Sequence, residues 1–469
     1  MSVSGFLPNP RSYRRTELRM LVLVAAVTTA ALAAVEINQR RPITWQVLAL
    51  GTGYFALFAG GHAAVRRFAD HADPLLLPCA ALLNGLGLVL NYRLDMSNPG
   101  LPDRWFLPAG AAPAQVAWTA LALGMFAAVL RHLPDHRQLG RYTYTAGLLG
   151  LFLLVLPGLL PSSISQVNGA KLWLRIGPFS IQPGEFAKIL IIVFAAGFLI
   201  DKRELFTKAG RQLLGLDLPR ARDLAPLLVA WGLSIGVLAL EKELGASLLY
   251  FGVVLVMLYI ATERASWLVL GLLFFTSGCV VAFFAFPHVR SRVEVWADPF
   301  AHAQTNGAQL IESLFGLADG GVFGAGLGRG QPELVPFANT DFIISTVAEE
   351  LGLVGLAAVL LLYAVLFGRG MRAAMTARDS FGTLLAGGLT FGLALQVFIV
   401  VGGVTQLFPL TGMTVPFLSY GGSSLLSNFV LVALLLRVSD AARRPAPALP
   451  REPQTPLAEA HTEMVERVE

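Results

Sequence analysis

Residues 244–286 read LGASLLYFGVVLVMLYIATERASWLVLGLLFFTSGCVVAFFAF, and this stretch decides the fold class. It holds two apolar runs, 244–261 and 266–286, neither of which contains a charge. Only Thr262, Glu263, Arg264 and Ala265 separate them. At a rise of 1.5 Å per residue, about 20 residues cross the ~30 Å hydrocarbon core of a bilayer. Each run is therefore long enough for one crossing, and the residues between them allow only a tight reversal.

The same pattern extends in both directions. Twelve candidate spans fall at about 20–36, 44–62, 74–92, 114–130, 142–160, 185–200, 225–240, 244–261, 266–286, 342–367, 381–402 and 413–436. The first has basic residues ahead of it and ALAA at 31–34, a signal-peptide make-up, but a retained helix is the preferred reading. Of 469 residues, 55% are hydrophobic and 14% charged, against about 25% charged in an ordinary soluble domain. Mean hydropathy is +0.64. The expectation is an all-α polytopic membrane protein solvated by the lipid bilayer. The pI near 9.3 does not indicate a nucleic-acid partner, because the basic residues are scattered through short loops. Cys79 and Cys279 lie far apart in apolar runs and suggest packing, with no disulfide or zinc spacing.

Loop charges set the orientation. With the N-terminus cytoplasmic, 24 of the 35 Lys and Arg fall on the cytoplasmic side, ten on the outer side, and Lys188 inside a span. Both termini are then expected in the cytoplasm. The longest loop, from Pro287 to about Thr340, falls outside and carries Trp296, Phe300, Phe315, Phe323 and several glycines, so it is expected to fold against the helix mouths. The tail after Arg444 is Pro-rich and polar and reads as disordered.

Ionisable groups near or inside spans are expensive and usually face a cavity or a partner. In the stretch 169–188, GAKLWLRIGPFSIQPGEFAK, Pro183 suits a first helical turn, and Glu185 and Lys188 stand three apart on one face. They are either a neutralising ion pair or part of a cavity. Glu241-Lys242-Glu243 lies between two spans and is either a solvated turn or a functional cluster. Asp341 ends the long loop, near the outer boundary, with Glu349 and Glu350 about two turns further on. On local chemistry it could be a helix cap stabilised by the dipole, or an acid within reach of a lipid headgroup. The run Gly324–Gly330, GAGLGRG, lacks the strand–loop–helix context of a nucleotide loop and is read as a flexible lid or turn. Ser419–Ser424, SYGGSS, is either a helix break lining a cavity or a close helix contact.

Taken in order, GAKLWLRIGPFSIQPGEFAK, EKELGAS (241–247), RVEVWADPF (292–300), GLADGGVFGAGLGRGQPELVPFANTDFIISTVAEELGLVG (316–355) and PLTGMTVPFLSYGGSS (409–424) resemble the signature of the RodA/FtsW/SpoVE (SEDS) family. The resemblance covers roughly residues 74–440. EKELGAS and GLADGGVFGAGLGRG are most similar to the actinobacterial RodA type, of cell elongation and shape, rather than the cell-division FtsW type. It implies a ten-helix core, 74–437, that includes an extracytoplasmic loop, 287–341. Around this core would lie a cytoplasmic N-terminus (1–19), an extra helix pair (20–73) and a disordered tail (438–469).

The resemblance also implies a reaction: polymerisation of lipid II, the undecaprenyl-pyrophosphoryl disaccharide-pentapeptide, into β-1,4 glycan outside the membrane. Asp341 matches the acid of the family's TDFI motif and is implied to be catalytic. Glu185 and Lys188 match QPxExxK, and with Ser419, Tyr420, Gly421 and Gly422 are implied to bind substrate. Two departures stand out. Relatives have Arg before Trp173, where this chain has Leu172, so Lys171 or Arg175 would supply the charge. The family's PDLG is KELG here, with Glu243 in place of Asp. The mechanism expected is a single inverting displacement with Asp341 as general base. Lys188, Arg292 and Arg329, in that order, are the candidate cations for the pyrophosphate. No cofactor is certain; a divalent cation could assist, but no closed ligand set is visible. The implied partner is a class B penicillin-binding protein transpeptidase. A lipid II flippase is the competing reading and a recruiting scaffold the third. No inverted repeat supports the flippase, and the scaffold leaves Asp341, Glu185 and Lys188 unexplained.

Overall fold

A computed structural model describes residues 10–97, 110–167, 170–176, 179–203, 211–213, 216–218 and 225–445. The Pro-rich tail lies outside the described residues from 446 on, as do Lys208, Arg220 and Arg222 of the basic loop. The helices are α1 (Pro10–Asn38), α2 (Trp45–Phe68), α3 (Leu76–Met96), α4 (Ala111–His132), α5 (Thr143–Leu159), α6 (Pro183–Asp201) and α7 (Ala225–Glu241). There follow α8 (Leu244–Thr262), α9 (Ser266–Ala285), α10 (Pro287–Ala297), α11 (Ala308–Gly320), α12 (Ile343–Thr376), α13 (Ser380–Val404) and α14 (Gly422–Arg443). Strand structure among the described residues amounts to three antiparallel two-stranded hairpins. These are β1 (Gln166–Val167) with β2 (Ala170–Lys171), β3 (Leu174–Ile176) with β4 (Phe179–Ile181), and β5 (Arg211–Leu213) with β6 (Leu216–Leu218).

Eleven of the described helices are long and apolar enough to cross a membrane. The remaining candidate span is α7, whose apolar stretch, Leu228–Val237, is shorter. Helices α3 and α14 sit at the centre, with 83% of their apolar windows buried, while α9, at 17%, faces outward along most of its length. Helix α1 packs on α2 and α3, α5 on α6, α8 on α13, and α4 on α14.

Hydropathy misplaces several helix ends, for physical reasons. Helix α1 starts ten residues before its apolar run because charged groups there neutralise one another: Arg14 pairs with Glu17, and Glu17 is hydrogen-bonded to His62 Nδ1 at 2.6 Å. The last span begins at Gly422, not 413, and helix continues to Arg443. Residues 413–421 are irregular because Pro416 has no N–H to give a helix and Phe417 takes a left-handed φ of 66°. The peptide groups freed there find other partners, as nonhelical backbone at membrane depth requires. Val415 N donates to Ser419 Oγ (2.9 Å), and Ser419 N to Val415 O (3.0 Å).

Helix α12 is broken at Gly352, where φ is 69° and ψ −173°. The result is a short segment, 343–351, followed by the span proper. The glycine loop 321–330 repairs the break. Ala325 N and Gly326 N donate to Glu349 O and Glu350 O (both 2.9 Å), and Leu353 N and Val354 N donate to Gly321 O and Val322 O (3.0 and 3.1 Å). Gly324 and Gly352 meet back to back: a Cβ on Gly352 would lie 2.2 Å from Gly324 N, and one on Gly324 2.3 Å from Glu350 O. Both also need positive φ. Of the two readings of this loop, a flexible lid or a turn, the structure has turns, fitted as a splint against the break.

Polar side chains lock both ends of the array. At one end Asp73 accepts from Arg369 Nε (2.8 Å) and Arg443, and His136 meets Asp379 (3.0 Å). At the other end α6, α8, α12 and α14 begin and α7 and α13 finish. The Asp341 cluster lies there.

Candidate active site

Pro183 occupies the first turn of α6, as its ring geometry favours, and Glu185 follows in that turn, where the helix dipole stabilises an acid. The Gln182 N–H donates to Ser423 Oγ at 2.9 Å, fixing the start of α6 against that of α14. Lys188 Nζ lies 3.0 Å from Glu185 Oε2 and 2.8 Å from Gln396 Oε1. Glu185 Oε2 also accepts from Ser427 Oγ (3.0 Å), and Gln396 Nε2 donates to Thr414 O (3.0 Å). The ion-pair and cavity readings of this pair both hold. It is a buried ion pair, with Lys188 3% exposed, and it lines a narrow cavity with Gln182, Glu241, Glu243, Tyr250 and Met413.

The Glu241-Lys242-Glu243 turn is not a solvated one. Glu241 and Glu243 are 3% and 5% exposed, and only Lys242, at a φ of 57°, turns to the surface. Burial, reinforced by the Glu185 carboxylate, pushes the Glu243 carboxyl up to about 8, with Arg292 pulling the other way. Glu243 thus holds a proton at neutral pH and can donate a hydrogen bond.

Asp341 does not cap α12: the cap position falls to Phe342 and no side chain bonds there. Its carboxylate lies near the bare face of Gly412 instead. A carbon placed on the bare face of Gly412 would stand 3.6 Å from Arg292 Nη2 and 3.9 Å from Asp341 Oδ2. Arg292, on α10, is held by Nη1 donating to Leu410 O (2.9 Å) and Thr411 O (2.8 Å). Burial pushes the Asp341 carboxyl up to about 6, against the pull of the Arg292 guanidinium. Ser419 and Tyr420 seat this acid from behind: Ser419 Oγ donates to Thr340 O (2.7 Å) and Tyr420 N to Asn339 O (2.8 Å). Gly421 and Gly422 are where α14 begins, and Gly422 packs against Trp118.

Three sequence candidates sit apart from this cluster. Arg329 is exposed and donates to Asn38 Oδ1 of α1 at 3.2 Å. Lys171 Nζ reaches Leu160 O at 3.4 Å, and Arg175 is exposed on the β3–β4 hairpin opposite Ser180. Conversely, Gln396 and Ser427 belong to the cluster and are not singled out by the sequence, whereas Glu241 enters it from the charged triplet. Gln396 carried a usable signal, a side-chain amide inside the apolar run 381–402. Among the described residues, the group of three that could hold a metal is Asp70, His71 and Asp440, at the far end.

Fold and cluster define a polytopic membrane protein with its polar machinery set into one end of the helix array. Residues 74–444 match the FtsW/RodA/SpoVE family, described as cell cycle protein, and the chain belongs to that family. It is 52% identical over 455 residues to peptidoglycan glycosyltransferase RodA of Mycobacterium tuberculosis, covering 97% of this chain and 96% of that one. It is 37% identical over 375 residues to stage V sporulation protein E of Bacillus subtilis, covering 79% and 98%. A chain solved in a peptidoglycan synthase complex, described as coordinating polymerization and crosslinking, matches with a TM-score of 0.61 and 27% identity over 79% of this chain and 98% of that one.

Proposed function

We propose that this chain is a peptidoglycan glycosyltransferase of the RodA type, which polymerises lipid II during cell elongation, with Asp341 as general base. The observation that carries the reading is the convergence of Asp341 Oδ2 and Arg292 Nη2 on Gly412, in a chain 52% identical to a RodA. A carboxyl near 6 is ionised at neutral pH and is a stronger base than an ordinary aspartate. Asp341 takes the proton of the acceptor sugar's 4-hydroxyl, whose oxygen forms the new bond to the donor's anomeric carbon. The bond from that carbon to the phosphate oxygen breaks with its electron pair leaving on the pyrophosphate. A single displacement from an α-linked donor gives the β link.

Arg292 is the better placed cation for the leaving group, since it adjoins Asp341, whereas Lys188 is already bound to Glu185 and Gln396. Lys188, Glu185 and the protonated Glu243 shape the floor of the site. Its acids make no closed ligand set, so a divalent cation there would be shared with the pyrophosphate. The charge bias of the loops supports a plasma-membrane orientation with both termini cytoplasmic and Asp341 outside. A class B penicillin-binding protein is the partner expected to cross-link the product.

The test is polymerisation of lipid II by the purified protein with its class B partner, moenomycin silencing classical glycosyltransferases. Glycan polymer from wild type and none from folded Asp341→Asn supports the reading. Polymer from both removes Asp341 from the chemistry. No polymer from either, in an intact complex, favours a flippase, and lipid II translocation in liposomes would then decide.

A further inference from the structure

Helices α1 and α2 precede residue 74, where the family match begins, yet α1 reaches the glycine loop that splints α12. Asn38 Nδ2 donates to Leu327 O at 2.6 Å, Gln39 Nε2 donates to Gly328 O, and Arg329 Nε returns a bond to Asn38 Oδ1. Contact is close: a Cβ on Gly328 would stand 3.1 Å from Val35 O. The end of α1 is itself fixed, because Glu36 accepts from Thr44 N, Thr44 Oγ1 (both 2.7 Å) and Tyr92 OH (2.9 Å).

From its other side the loop is gripped by the half-helix that starts two residues after Asp341. Glu350 Oε1 accepts from Gly328 N (3.1 Å), and Glu349 Oε1 accepts from Gln331 N. Arg93 of α3 ties the two together, with Nη2 donating to Gly330 O (2.7 Å) and Nε 3.3 Å from Glu350 Oε1. A continuous hydrogen-bonded path thus runs from Asn38 and Gln39 through residues 327–331 to Glu349 and Glu350, and along one short helix to Asp341.

We infer that Asn38 and Gln39 are positioning residues for glycosyl transfer: the N-terminal helix pair sets the loop, and the loop sets the half-helix that aims Asp341. This rests on the catalytic reading of Asp341 given above. The positioning has no substrate contact of its own, so it bears on turnover and leaves binding alone.

An Asn38→Ala/Gln39→Ala double variant tests it, assayed in the full complex with lipid II. Turnover is expected to fall about tenfold to hundredfold, as small misplacement of a reacting group does, with KM within twofold of wild type. Amide exchange at Gly326, Gly328 and Gln331 should accelerate while exchange in α13 and α14 stays unchanged. Wild-type turnover alongside accelerated loop exchange would overturn the inference, as would a fall in kcat accompanied by a several-fold rise in KM and a lowered thermal midpoint. Wild type and Asp341→Asn, run alongside, separate the two claims. If wild type makes no polymer, or Asp341→Asn makes as much, the catalytic reading fails; if only wild type makes polymer and the double variant matches it, only the positioning role fails.

Discussion

Arg292 Nη2 and Asp341 Oδ2 both stand within 4 Å of one point on the face of Gly412, and Arg292 Nη1 is committed to two carbonyls of the same segment. The guanidinium therefore has one nitrogen that anchors and another left beside the same glycine face as the acid. A lysine has no such fork and cannot do both. Arg292→Lys should keep the fold and lower polymerisation about a hundredfold, measured as initial rate on lipid II.

The acid limb of the rate profile should report Asp341. The base works only when deprotonated, so activity rises with pH through a midpoint near 6. Arg292 holds that carboxyl down, so Arg292→Gln should move the limb to higher pH. A limb that stays fixed in Arg292→Gln would assign it to another group.

Glu185 and Lys188 predict a different pattern. Each is the other's charge partner in a buried setting. Lys188→Met or Glu185→Gln alone should destabilise the protein by roughly 3–5 kcal/mol, because the remaining charge loses its partner. The double variant should lose less than the two single losses added together. Thermal unfolding in detergent would show additive losses if the pair were not coupled.

Glu243 ties pH to stability. Its carboxyl binds a proton more tightly in the folded state, near 8, than at the ordinary 4.5 of an unfolded chain. The folded state then holds more protons between those values, so this group's contribution is full below about 4.5 and is lost as pH rises to 8. Glu243→Gln keeps a neutral side chain throughout. Its melting point relative to wild type should climb from pH 5 to pH 8, and a flat difference would count against a buried, protonated Glu243.

At the α12 break, Gly352→Ala places a methyl on Gly324 N and strains a left-handed residue. The cost should exceed the ~1–3 kcal/mol of the strained backbone alone. Gly324→Ala in the same chain offers no relief, because both positions require positive φ. Limited proteolysis should cut 321–330 in the variant and spare it in wild type.

Most of the helix array was legible because a bilayer demands runs of about 20 apolar residues and the chain supplies them. Gly352 was not, since ELGLVG keeps its hydropathy through the break and a positive φ leaves no mark on composition. The burial of Glu241 and Glu243 is undecided in the sequence for the opposite reason: a charged triplet between spans reads equally as a wet turn or a functional cluster until its neighbours are known. Asp341, Glu185 and Lys188 stand out as ionisable groups at the span boundaries and the family resemblance supplies their roles; of the two local readings of Asp341, the cap is one that it does not make. The split between Arg292 and Arg329 depends on where a long loop turns, which residue spacing does not encode.

The Asp73 junction constrains how the molecule can be made. Its carboxylate is 1% exposed, and its partners Arg369 and Arg443 lie 296 and 370 residues downstream. At ~5–20 residues per second, those arginines leave the ribosome roughly 15–60 s and 20–75 s after Asp73 does. Until Arg369 is made, the joint between the leading helix pair and everything after it holds an acid without either of these counter-charges. Arg443, at the end of the final helix, supplies the second, so a chain cut short before it leaves that seam with one of its two arginines.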